Sequence, residues 1–179
     1  MKLFKKLLLI FCLNYCYVVE AQTWKPTTTS INFTTKMLGV KVEGKFKGFQ
    51  GSINFNPADL DNSTISGTVD ASTLDTDNNL RNSHLKEKPE FFDIVKYPKL
   101  KMTSTKIEKN PTGGYIGTFN FTVKSITKPL KLPFTVEMSS DKAVFKGTSK
   151  LNRKDWQLGG NTLGMSNEVT INITINSTK

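Results

Sequence analysis

Residues 168–176, EVTINITIN, alternate without a fault. Val169, Ile171, Ile173 and Ile175 fall on one face; Thr170, Asn172, Thr174 and Asn176 fall on the other. That is the period of a strand with one wet face. The same period runs through Tyr115, Gly117, Phe119, Phe121 and Val123, through Val40, Val42, Gly44 and Phe46, and through Leu130, Leu132, Phe134, Val136 and Met138. Weaker alternation predicts strands over 30–37, 51–56, 64–71, 99–108 and 143–151. Turn sequences separate them: NPTGG at 110–114, SSD at 139–141 and the longer NPADLDN at 56–62. Eight or nine antiparallel strands with one dry face each make a sandwich or a barrel.

Several positions depart from this pattern. Gly44, Gly67, Gly117 and Gly147 sit in the apolar phase of four strands. Glycine there either lets the sheet bend into a barrel or leaves room inside for a ligand. Pro129 and Pro133 share the outward phase of one strand. Proline cannot donate to a ladder, so that strand is expected at an edge, bulged or loosely paired. Residues 72–98 predict one short helix from about Asp77 to Lys86, capped by Asp75 or Thr76, with Leu80, His84 and Leu85 on its inner side. Pro89 stops it. Residues 152–167, NRKDWQLGGNTLGMSN, are long for a connection and predict a lid or rim.

The N-terminal stretch changes the picture of where the chain works. Three lysines precede an apolar run from Leu7 to Val19, and Val19-Glu20-Ala21 offers a cleavage site. This is the build of a secretory signal peptide over residues 1–21, leaving a single domain at 22–179. The expected location is periplasmic or secreted. Both cysteines, Cys12 and Cys16, lie in the leader, so the mature domain has neither disulfide nor thiolate chemistry. The net charge of +10 invites an anionic partner, but only Arg81 and Arg153 among 25 basic residues are arginine. Readers of phosphate and base edges favour arginine, so no nucleic-acid partner is expected. A transient contact with an anionic membrane surface is compatible with the lysines.

The stretch LDTDNNLRNSHLKEKPEFF at 74–92 holds most of the candidate chemistry. Asp75, Asp77 and Asn79 match the first three positions of a calcium loop. The glycine and glutamate that such a loop needs further on are replaced by Leu80 and Lys86. A zinc or iron site lacks ligands in a mature domain with one histidine and no cysteine. His84 has aspartates to orient it, but no nucleophile is marked beside it. The stretch therefore reads as scaffold: a capped helix over an opening in the β structure, with Phe91 and Phe92 as its plug. Arg81 is expected to tie it down by an ion pair, and Arg153 with Asp155 to do so elsewhere. No cofactor, metal or enzymatic activity is expected.

A resemblance becomes specific here. GKFKGFQGSINFNP at 44–57, TDNNLRNSHLK at 76–86, EFFDIVKYPKLKMTS at 90–104, GTFNFTVKSITKPLKLPF at 117–134, NRKDWQLGG at 152–160 and the closing EVTINITIN together resemble the YceI-like family of exported lipid- and polyisoprenoid-binding proteins. The likeness lies in order and spacing over nearly the whole mature chain. Three positions depart from it. Asn82 stands where the family usually has aspartate after the arginine, Ser125 replaces a turn glycine, and Trp156 replaces a phenylalanine.

The resemblance implies a lipocalin-like extended antiparallel β-barrel of about eight strands with one helical insertion. It implies an apolar lumen that holds a long-chain lipid or isoprenoid for transport, storage or sequestration. On that reading Phe33, Phe46, Phe55, Val69, Met102, Phe119, Phe121, Phe134, Phe145 and Ile171 line the lumen. Arg81, His84, Leu85, Phe91, Phe92 and Trp156 form the rim and helix cap, with Arg81 or nearby lysines meeting a polar head. Two other readings remain open in the sequence. One is a small outer-membrane barrel with the apolar phase facing lipid. The other is a carbohydrate-binding sandwich with Trp24 and Trp156 as exposed platforms. A homodimer is compatible with all three.

Overall fold

The computed structural model describes residues 22–179; the expected leader lies outside the described residues. Nine strands are present there: β1 (Thr23–Met37), β2 (Val40–Phe46), β3 (Gln50–Asn54), β4 (Thr64–Asp70), β5 (Lys99–Lys109), β6 (Tyr115–Val123), β7 (Ile126–Met138), β8 (Lys142–Asn152) and β9 (Glu168–Thr178). One α-helix, α1 (Asn79–Glu87), lies between β4 and β5. All neighbouring strands pair antiparallel, and β1 pairs with β9 to close the sheet on itself.

β2 and β3 occupy one barrel position. β1 pairs with β3 at Trp24↔Ile53 and with β2 at Ile31↔Phe46, in one continuous register. The barrel is therefore eight-stranded, with one position broken at Lys47–Phe49. Beyond the break the two sides part. β3 continues to pair with β4, whereas β2 meets only the bridge Lys45↔Asp75. The gap this opens is where residues 71–98 cross the barrel end.

The apolar phase points inward and the lysines point out. Phe119, Leu130, Leu132, Phe134 and Phe145 are buried, while Lys101, Lys128, Lys131, Lys146 and Lys150 are exposed. That polarity is the reverse of a lipid-facing outer-membrane barrel. One end is filled solid. Trp24, Ile53, Phe55, Ile107, Phe134, Phe145 and Ile175 form its core, with Phe55 edge-on to Tyr115, Phe134 and Phe145 at 4.9–6.0 Å. Such aromatic edges add to the burial itself.

The prolines of β7 have a local explanation. Residues 126–134 pair with β6, but the ladder to β8 begins only at Phe134↔Gly147. Pro129 and Pro133 thus lie in the half of the strand with one open side, as loose pairing requires. The Ser149 hydroxyl crosses that gap to the Lys131 carbonyl at 2.7 Å.

The four apolar-phase glycines are floors for neighbouring side chains. A Cβ at Gly44 would strike the Phe33 ring, at Gly67 the Phe49 ring, and at Gly117 the Phe119 ring; at Gly147 it would press on Leu132. The side chains thus occupy the space that a Cβ would take, and glycine at these positions also lets the sheet curl. Two strands outrun the expectation. β1 begins at Thr23, before any alternation is visible, and passes Pro26 by a register shift. β7 begins at Ile126.

Candidate functional site

Above the filled base the barrel is hollow. An inner cavity of about 140 Å³ is lined by Phe33, Phe46, Val69, Met102, Phe119, Phe121, Phe134, Phe145 and Ile171, among other apolar residues. A second cavity of about 480 Å³ continues it toward the open end. Phe33, Phe46, Leu100, Phe121 and Ile171 line both, so the two cavities adjoin. Phe55 does not reach it. It is fully buried in the base, where its carbonyl accepts from Trp24 Nε1 at 3.1 Å.

The outer cavity reaches the surface beside α1. Leu80 is 69 % exposed and still lines it, as do exposed His84 and half-buried Leu85. The inner side of the helix therefore faces an opening, and no residue of α1 is buried. Its cap is Asn78, whose side chain accepts from the Arg81 N–H at 2.9 Å, one turn later than expected. Phe91 and Phe92 are half-buried in the cavity wall and leave the channel open. Phe92 stands edge-on to Phe46 at 5.6 Å, and its N–H donates to the Leu85 carbonyl at 3.0 Å.

Asp75 and Asp77 fasten this segment to the barrel. Lys45 Nζ lies 3.3 Å from Asp75 and 3.1 Å from Asp77. Asp75 also accepts from the Asp77 N–H at 3.0 Å and from the Asn82 amide at 3.1 Å. These bonds, the Asp77 N–H foremost, hold its pKa at about 2. Arg81 makes no ion pair with a described residue. Its Nε donates to Thr76 Oγ1 at 2.8 Å and its Nη2 to the Thr76 carbonyl at 2.6 Å. Asn82 accepts from the same threonine's N–H and hydroxyl, at 2.8 and 2.6 Å.

The far wall is built by residues 152–167. Trp156 is a wall residue and not an exposed rim. It is 2 % exposed, packs on Phe121 at 5.3 Å and donates to the Phe121 carbonyl at 3.0 Å. Trp24 is equally buried, so neither tryptophan offers a sugar platform. Arg153 is buried and has no acidic partner among the described residues. It donates to the carbonyls of Ser166, Leu158, Gly160 and Met165 at 2.5–3.3 Å. Burial pulls its pKa below the usual arginine value. The loop is anchored to the β1–β2 hairpin by Leu38 N–H to Gly164 O at 2.8 Å and Ser166 N–H to Lys36 O at 2.9 Å.

Sequence reasoning missed Arg153, Phe49, Leu100, Val123 and Leu151 as cavity residues. The apolar ones at strand ends continue the alternation and were within reach. Phe49 lies in the break between β2 and β3, where no period operates. His84 is exposed, and Asp77, one of its candidate partners, is engaged by Lys45.

A closed antiparallel barrel with a filled base, an apolar channel and a helix beside the mouth defines a lipocalin-like class of protein. The chain belongs to the YceI-like family, whose domain matches residues 23–177. The protein YceI of Salmonella arizonae is 28% identical over 152 residues, 81% of this chain and 78% of that one. The fold is shared with Burkholderia cenocepacia BcnA, at TM-score 0.76 and 24% identity over 83% of this chain and 95% of the other. It is shared also with a polyisoprenoid binding domain from Saccharophagus degradans implicated in plant cell wall breakdown. There the TM-score is 0.62 and the identity 13%, covering 87% of this chain and 97% of that one.

Proposed function

We propose that the protein is an exported carrier that holds one long-chain amphiphile in the barrel channel. The observation that carries this reading is the pair of adjoining cavities, the inner one lined almost wholly by carbon, that lie between the filled base and the mouth. Its outer part alone falls within the roughly 300–1,000 Å³ of small-molecule sites. The polyisoprenoid-binding domain of the same fold supports a lipid-type ligand. The basic, apolar N-terminal stretch supports export. Binding without catalysis fits an inner cavity lined by carbon.

Energetics favour carriage over irreversible capture. Burial from water gives about 0.8 kcal/mol per CH₂. A membrane lipid is already dry, so moving it into the channel changes little and exchange runs both ways. Loading from a membrane also fits the surface beside the mouth. Leu38, Val40 and Leu163 are 75%, 68% and 89% exposed, and Leu38 packs over Gly164. These side chains suit shallow contact with a bilayer.

The test is titration with cis-parinaric acid, a fluorescent polyene fatty acid. One equivalent should bind with a rise in emission, and Met102→Trp should abolish binding without loss of the β-sheet circular dichroism. Unchanged binding in Met102→Trp and in Ile171→Trp would move the ligand out of the channel.

A further inference from the structure

We infer that the mouth selects an anionic head group, a carboxylate or phosphate at the end of the chain-like ligand, through Arg81, with Arg153 in the far wall of the same cavity. This rests on the carrier reading above. The first support is placement. The chain has only two arginines, and both line the outer cavity. All the other basic residues are lysines. The six ion pairs among the described residues all involve lysine, and neither arginine is neutralised.

The second support is how the Arg81 charge is left free. Lys45 draws off Asp75 and Asp77, the two carboxylates of the preceding turn. The neighbouring Asn82 is uncharged, and its side chain bonds Thr76 and Asp75. Thr76 takes Nε and Nη2 of Arg81 and so fixes the plane of the guanidinium. Nη1 makes no hydrogen bond to a described residue. A planar fork, already oriented and with an open edge, suits a carboxylate or phosphate oxygen.

The third support is Arg153. It is 2 % exposed and held by neutral carbonyls alone. A buried cation without a counter-ion is costly, and an anion entering the mouth relieves that cost. Against Arg81, Arg153 and Lys88, Glu90 is the one carboxylate lining the outer cavity. The inner cavity is carbon-lined, with the Lys101 and Lys146 side chains turned outward to solvent. The tail therefore belongs inside and the charged end at the mouth.

The experiment uses delipidated protein and displacement of the neutral fluorophore N-phenyl-1-naphthylamine. Oleic acid, oleyl alcohol, farnesyl phosphate and farnesol compete in parallel. The acid should bind about tenfold or more tighter than the alcohol, the scale of a charge-assisted hydrogen bond. Arg81→Gln should bring the ratio of acid to alcohol affinity close to one; Arg81→Lys, which keeps the charge, should keep part of the preference. Farnesyl phosphate is set against farnesol, which has the same tail, as oleic acid is against oleyl alcohol; a preference for the anion within either pair supports the inference. Equal affinity for anion and alcohol in both pairs, or an equal loss of both in Arg81→Gln, would overturn it while the channel reading stands. Binding of neither would sink both.

Discussion

Asp75 joins three parts of the molecule through one side chain: β2 by Lys45, α1 by Asn82, and its own turn by the Asp77 N–H. Its folded pKa of about 2 lies below the ordinary aspartate value. The ionised form is thus the one the fold stabilises. Its contribution is complete above the unfolded pKa, near 4, and is lost as pH falls through about 2. Melting temperature followed from pH 5 to pH 2 should fall less steeply in Asp75→Asn than in the wild type. An identical pH slope would show that Asp75 is not coupled to folding. Trp156 offers a second residue-scale test. Trp156→Phe keeps the ring but loses the bond to the Phe121 carbonyl. A loss of about 1 kcal/mol in urea unfolding is expected. Neither contact was legible in the sequence. Both run to partners far along the chain, one of them a backbone carbonyl that no side-chain pattern encodes. The same holds for Arg153, read as an ion-pair partner of Asp155 and found among four carbonyls.

At the scale of elements, alternation exposed most of the strands because each has one face in carbon and one in water. It failed where that contrast fades. The first half of β1 is threonine-rich and largely exposed, and residues 126–129 of β7 carry a lysine and a proline. The helix was legible as an element, and its inner side, read as lying over an opening, borders the outer cavity. Two element-scale outcomes follow. Asn78→Ala removes the α1 cap and should cost about 1 kcal/mol, read from the urea midpoint. Gly117→Ala places a methyl in the Phe119 ring and should cost roughly 1–3 kcal/mol. Gly147→Ala meets only Leu132 at 3.2–3.3 Å and should cost less. The reverse order would mean that these glycines serve chain bending and not ring packing.

For the molecule as a whole, a filled base and an outer cavity that reaches the surface beside α1 put the proposed ligand's entry at the mouth. The exterior is lysine-rich, and the leucines exposed at the mouth are where the proposed carrier would meet a bilayer. Leu38→Asp with Leu163→Asp should slow delivery of parinaric acid from phosphatidylglycerol-containing vesicles, with affinity for the free probe unchanged. Equal transfer rates would place loading elsewhere. The barrel and most of its lining were legible because burial repeats every second residue. Residues of the mouth were named as well, but the bonds that hold them were not, because they run to loops and backbone carbonyls. The most direct measurement of the central claim is native mass spectrometry of the mature protein, purified from its own host without detergent and then solvent-extracted. The account predicts one long-chain amphiphile per barrel, released by extraction. A protein of bare polypeptide mass, still empty after incubation with host lipid, would contradict it.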